Sequence, residues 1–450
     1  MIRRPATQPG ARGTLIAVLL ISLLAACGEV REDPSLRGQI LTLGTGSADA
    51  REAALDWIDA HWRPDYAAPL IDALPFAGDA RTRGAMMDLL RRHTDAQPGD
   101  TPTDWQAWRR QAEPPLHPDY ARIKASLLGL VERQLYQDLR DVEPAAFQHL
   151  QWTGLRRSDR PAPAARAGMT RPEEVALRDD ELVIGLVLDG HARAYPRRLV
   201  ADHIALRDRT TAGDALVIHD PLSGTTAAYR LRGDELIDLR DSVFLFKGDT
   251  VLHDAGSTSF WRALDGERLW PDPHGDTRQL TATPQVTTTW QAWRQLHPDT
   301  RVLEGDPDQT TFRRDKAAFR QYRADRRLAR LAAPGPLAAN QAVLGLTEDS
   351  DALAVTISAD AGEAVRQVRL AGRTVSILRA DRALRVYDTG SIRLSGGDAQ
   401  GVWQDEQGRR WRQTESVLIG PEDRQLPRLP ARETSWRTWS GSHPDSRVEP

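Results

Sequence analysis

A chain of 450 residues with 40% hydrophobic content is long enough for two or three globular domains, each with its own core. The formal net charge of -3 gives no electrostatic case for a nucleic-acid partner or an acidic substrate. Lysine occurs only at Lys124, Lys247 and Lys316 among many arginines, which reads as base composition and not as an arginine-specific function.

The first 27 residues have the layout of a bacterial lipoprotein signal. Arg3, Arg4 and Arg12 form a basic segment, Thr14 to Leu24 an apolar one, and Leu24-Ala25-Ala26-Cys27 fits a lipobox. The apolar segment is too short to span a bilayer permanently. Cys27 is the sole cysteine, so the mature chain is expected to carry lipid there and no disulfide. Gly28 follows; without an aspartate at that position, delivery to the outer membrane, facing the periplasm, is the expectation. The membrane would be a partner through Cys27, together with an unknown envelope protein or ligand, and no nucleic acid is expected.

Residues 28–48 read as a tether, and helical spacing begins after them. Ala53, Leu55, Ile58 and Trp62 recur near the helical period, followed by Ala67, Leu70, Ile71 and Leu74, and then by Met86, Leu89 and Leu90. Pro64 and the Pro75-to-Asp79 segment punctuate them. Such short paired helices suggest HEAT-like units over residues 49–160. Between Tyr120 and Leu139 an apolar stripe of Ile123, Leu127, Leu130, Val131, Leu135 and Leu139 is expected to face a core. Pro161-Ala162-Pro163-Ala164-Ala165 reads as a linker.

Residues 161–310 read as a β-rich module. Val183 to Leu188 is a β-branched run ending in the hairpin dipeptide Asp189-Gly190, and Ala215 to His219 runs into a polar turn, Asp220-Pro221-Leu222-Ser223-Gly224-Thr225. Residues 311–450 read as a degenerate second copy. Val343-Leu344-Gly345-Leu346 echoes Val183-Ile184-Gly185-Leu186, and Trp403 with Gly408 echoes Trp261 with Gly266. Trp436, Trp439 and His443-Pro444-Asp445 repeat the spacing of Trp290, Trp293 and His297-Pro298-Asp299. The fold expected is therefore α+β, a helical region followed by two tandem β-rich modules.

Several of these segments together resemble the bacterial domain of unknown function 3179. Arg193-Ala194-Tyr195-Pro196 matches its pattern, and His203 stands at the family histidine, though Ile204 replaces the following glutamate. Pro221, Leu222, Gly224 and Thr225 match a Cys-Pro-Leu-Cys-Gly-Thr segment, with Asp220 and Ser223 where the cysteines belong. Ser259-Phe260-Trp261, Gly266-Glu267, Trp290-Gln291-Ala292-Trp293 and His297-Pro298-Asp299-Thr300 complete the resemblance. It implies a fold and little chemistry. Paired cysteines on a turn would suit redox exchange or a soft metal, and Asp220 with Ser223 offers neither.

Three functional readings follow. The first is a lipid-anchored envelope protein with a non-catalytic binding or assembly role, carrying no assigned cofactor. The second is a metal protein or metal-dependent enzyme in which His203, His219, Asp220 and His253 hold a divalent ion. The third is a carbohydrate or peptidoglycan binder using some of the thirteen tryptophans, although the repeated Trp/Trp/His-Pro-Asp spacing favours packing. The sequence argues against a serine hydrolase at Ser223, because Pro221 and Thr225 occupy the two glycine positions of a nucleophile elbow, and Ser242 and Ser259 have no motif around them.

Overall fold

Ser35 opens the first helix, its hydroxyl accepting the Gly38 N–H, and the helix continues from Leu36 to Thr45 (α1). Leu36, Ile40 and Leu43 sit on one side and are buried, which is the i, i+4, i+7 spacing of a core-facing stripe. The tether expected over 28–48 is corrected for residues 36–45, where an apolar stripe among Gly and Thr residues places the chain in the helical core. The computed structural model describes residues 35–155, 168–210, 213–231, 238–254, 259–269, 279–304, 335–358, 364–380, 382–398 and 401–449. The signal segment, Cys27 and the Pro161-to-Ala165 linker lie outside them. Among the described residues no helix is long and apolar enough to cross a membrane.

The helical region continues through Ala48–Ala60 (α2), Ala67–Ala73 (α3), Ala80–Thr94 (α4), Pro102–Ala112 (α5), Tyr120–Gly129 (α6), Arg133–Leu139 (α7) and Pro144–Phe147 (α8). Caps fix several starts. Ser47, Asp79 and Thr101 each accept a backbone N–H, and Thr101 with Asp104 forms a capping box. The stripe expected across Tyr120 to Leu139 is divided between two helices, and Leu130, in the break, is 47% exposed. Leu150–Trp152, expected to be helical, is a strand (β1) paired antiparallel with residues 244–246. The helical region is thereby seated on a sheet, and Leu128, Leu135, Leu139 and Phe147 share one apolar cluster with Phe244, Leu245 and Val251.

The β part confirms the α+β class, with helices first and sheets after. Leu182–Leu188 (β2) and His191–Pro196 (β3) form a hairpin in which Leu188 faces His191. Asp189 and Gly190 both have positive φ in its turn. Val286–Thr289 (β4) lies antiparallel on the other side of β2, the helix Trp290–Leu296 (α9) follows, and Arg301–Leu303 (β5) returns parallel to β3. The same geometry recurs later. Ala342–Glu348 (β6) pairs with Asp351–Thr356 (β7), Arg432–Ser435 (β8) lies antiparallel beside β6, and after the helix Trp436–Ser442 (α10), Arg447–Glu449 (β9) runs parallel to β7.

Each arrangement is locked by a tryptophan over a glycine. A Cβ on Gly185 would lie 2.3 Å from the Trp293 ring, and one on Gly345 would lie 2.0 Å from Trp439. The indole N–H groups donate to Thr300 Oγ1 at 2.9 Å and to Ser446 Oγ at 3.0 Å. Trp290, Trp293, Trp436 and Trp439 are all buried, and every described tryptophan is at least half-buried, so none forms an exposed flat platform. The two β halves are not separate bodies. Glu433 of β8 pairs with Thr226 of the strand Thr226–Leu231, extending one sheet across both halves.

Candidate functional site

The turn singled out by the sequence lies on that seam. The strand Gly213–His219 pairs antiparallel with Thr226–Leu231, and residues 220–225 connect them. Asp220 N–H donates to Thr225 O at 2.9 Å, and Gly224 N–H to Asp220 O at 2.9 Å. Gly224, at φ +75°, supplies the left-handed step, and a Cβ there would lie 3.3 Å from Ser435 N. The Asp220 carboxylate is fully buried. It accepts the Leu222 and Ser223 N–H groups at 2.9 and 3.1 Å and the Thr250 hydroxyl at 2.5 Å.

The other half of the molecule seals the turn. Ser223 O accepts Ser435 N–H at 3.0 Å, and the Thr434 and Thr438 hydroxyls approach the same carbonyl at 3.4 and 3.3 Å. Thr225 Oγ1 lies 3.1 Å from Thr434 Oγ1 and donates to Asp249 Oδ1 at 3.4 Å. Burial pushes the Asp249 carboxyl up to about 7; the nearby Asp265 and Asp220 add to the rise, while Arg262 and the Leu264 N–H oppose it. Two acids are therefore tied into one polar knot, but both are 0% exposed. A proton held there near neutral pH has no open path to an external substrate.

The histidines expected beside this turn are dispersed. His203 ends the helix Arg197–His203. The His219 ring lies with Nδ1 2.9 Å from Thr226 Oγ1, and His253 packs against Phe260 with ring centroids 5.1 Å apart. Among the described residues, no three His, Cys, Asp or Glu side chains are grouped so that they could hold a metal ion, and His203, His219, Asp220 and His253 form no such group.

Sequence reasoning missed the cross-links between the halves. His443 Nε2 reaches Asp265 Oδ1 at 3.1 Å, and Asp265 also pairs with Arg262 at 2.6 Å. His297 Nε2 lies 3.5 Å from Glu415 Oε1, and Glu415 is held by Arg385 and Arg428. Each closing histidine thus faces a buried acid of the opposite half. The repeated His-Pro-Asp spacing was the available signal, but its partner acids sit in segments without visible correspondence.

The two β halves, the recurring hairpin-strand-helix-strand unit and the buried turn together define an α+β protein built around an interlocked double β unit. The chain belongs to the family described as protein of unknown function DUF3179, which matches residues 162–446. No curated protein and no solved structure matches the chain.

Proposed function

We propose that this chain is a lipid-anchored protein of the bacterial cell envelope with a binding or assembly role, in which the turn of the family's cysteine segment has become a structural joint. The observation that carries this reading is the Asp220 carboxylate: fully buried, it is engaged by two backbone N–H groups of its own turn and by Thr250. A carboxylate in that position orders the turn. Residues 182–303 and 342–449 are read as two copies of one module, supported by the matched Gly185/Trp293 and Gly345/Trp439 packing. The helices before them are read as a HEAT-like platform, and Cys27, by its lipobox, as the lipidated residue.

Two measurements test the reading. Cys27→Ala in the full chain abolishes labelling by radioactive palmitate and releases the protein from membranes; unchanged labelling and fractionation overturn the anchor. Elemental mass spectrometry on the full chain purified without chelators finds no stoichiometric metal. Metal that is present and lost in a His203→Ala, His219→Ala variant would replace the structural reading of the turn with a metal site.

A further inference from the structure

A second polar cluster lies where the helices meet the first sheet, on the other side of the apolar cluster that Leu222 of the turn shares with Leu128, Leu150 and Leu245. Asp72 interrupts the apolar run of α3 and is buried. It accepts from Arg109 at 2.7 Å, from the Tyr120 hydroxyl at 2.5 Å and from Gln106 at 3.1 Å. Lys124, 2% exposed, lies 3.3 Å from the same carboxylate and donates to Gln148 O at 2.5 Å. An ammonium has three donors, so these two partners leave one N–H.

The cluster forms the floor of a cavity of about 100 Å3. Asp72, Gln106 and Lys124 contribute its polar side, while Phe76, Trp152 and Leu245 contribute apolar surface. The Phe76 and Trp152 rings stack, 5.0 Å between centroids. Apolar walls with a few convergent polar groups are the usual make-up of a small-molecule site.

Charge sets the class of ligand. Within the cluster Arg109 and Lys124 face a single carboxylate, Asp72, so protonated Lys124 leaves a surplus positive charge in a buried position. Neighbouring groups register it. His149 is pushed down to about 4, first by burial and then by the charges of Arg109, Lys247, Lys124 and Arg110. Burial lowers Lys124 itself to about 7, with Asp72 opposing and Arg109 adding to the fall. Burying unbalanced charge is costly, and an incoming anion offsets that cost.

We propose that this cavity binds a small monocarboxylate, its oxygens accepting from Lys124 and its short alkyl chain lying against Phe76, Trp152 and Leu245. The cavity of about 100 Å3 has room for a short-chain ligand, since a single water needs only about 10–15 Å3 of the same space. Apart from Leu245 its lining precedes the family's match, and it does not rest on the role proposed for the Asp220 turn.

The test is equilibrium dialysis of the full chain in detergent with radiolabelled butyrate. Saturable binding to one site is expected, weakened about tenfold or more in Lys124→Met through loss of a charge-assisted hydrogen bond. Thr103→Trp, at the cavity wall, keeps Lys124, Asp72 and Arg109 and is expected to fill the space and abolish binding. Affinity falls several-fold between about pH 6 and about pH 8.5, because Lys124 loses the proton the anion needs; Asp72, Arg109 and Tyr120 keep their charge states across that range. Absence of saturable binding overturns the proposal, as does equal competition by butanol, which lacks the charge. Should Lys124→Met fail to fold, undiminished binding by Thr103→Trp overturns it alone.

Discussion

His443 Nε2 lies 3.1 Å from Asp265 Oδ1, and the 178 residues that separate them make this contact a tie between the two β halves. His443 also packs against Trp439, 4.3 Å between ring centroids, so it joins the closing helix to the opposite half through both faces. Burial alone would raise the Asp265 carboxyl, but His443 and Arg262 hold it below its ordinary value of 3.8. An acid with a depressed folded-state pKa contributes stability above its unfolded pKa and loses it as the pH falls through the folded value. His443→Ala should therefore cost about 1–3 kcal/mol at neutral pH, as expected when a buried partner of a charged group is removed. A urea-unfolding double-mutant cycle with Asp265→Asn should show the two changes to be non-additive; simple additivity would mean that the contact does not join the halves energetically.

The glycines beneath the tryptophans make a second prediction. A Cβ on Gly185 or Gly345 meets an indole at 2.3 or 2.0 Å, and both rings are fully buried. Each Gly→Ala change should destabilise by at least about 1–3 kcal/mol through overpacking. Gly372→Ala is the control, because it meets nothing within 4 Å and bears only the strain of φ +77°. Losses at Gly185 and Gly345 no larger than that at Gly372 in urea unfolding would show that the indoles yield to the added methyl.

These pairs also mark how far the sequence could be read. Gly185, Trp293 and His297 have the same spacing as Gly345, Trp439 and His443, and in both places the indole lies over the glycine and the histidine stacks on the indole. The helices were legible from their apolar periods, yet α1 was hidden by Gly and Thr in a stretch that looked like a tether. The strand at Leu150 was invisible because three residues carry no period and are extended only by pairing with Phe244 to Phe246. At the Asp220 turn, the residue types were legible and their surroundings were not. Its sealing groups, Thr434, Ser435 and Thr438, come from about 210 residues away. The Asp72 cluster left one faint sign, an acid in the apolar stretch Ala67 to Ala73, and Lys124 another through its rarity.

Asp220→Ala should destabilise more than an ordinary turn cap does. At an exposed cap the loss is typically about 1 kcal/mol. Here the removed carboxylate also leaves the buried Thr250 hydroxyl and two buried N–H groups without their acceptor, and each unsatisfied group costs about 1–3 kcal/mol. A loss of roughly 3 kcal/mol or more is expected in urea unfolding. Asp220→Asn, which keeps an acceptor oxygen, should recover part of it. Wild-type stability in Asp220→Ala would show that the turn is held by the Ser435 side alone.

Asp249 gives the turn region a pH dependence of opposite sign to that of Asp265. Its folded-state carboxyl lies near 7 against an ordinary value of 3.8, so between those values the folded chain binds the proton more tightly than the unfolded chain. The stability this group contributes is present below the lower value and declines as the pH rises through the upper one. The Thr225 hydroxyl and the Leu264 N–H donate to different oxygens of Asp249; Asp249→Asn keeps one acceptor oxygen, for one of the two, and removes the charge that burial penalises. Above about pH 8 the variant should be more stable than the native chain by on the order of 4 kcal/mol, given about 1.4 kcal/mol per pKa unit over roughly three units. Near pH 4 the difference should vanish, because both carry a neutral side chain in the fold. Urea-unfolding curves across that range provide the measurement, and a difference independent of pH would mean that Asp249 is already ionised where it lies.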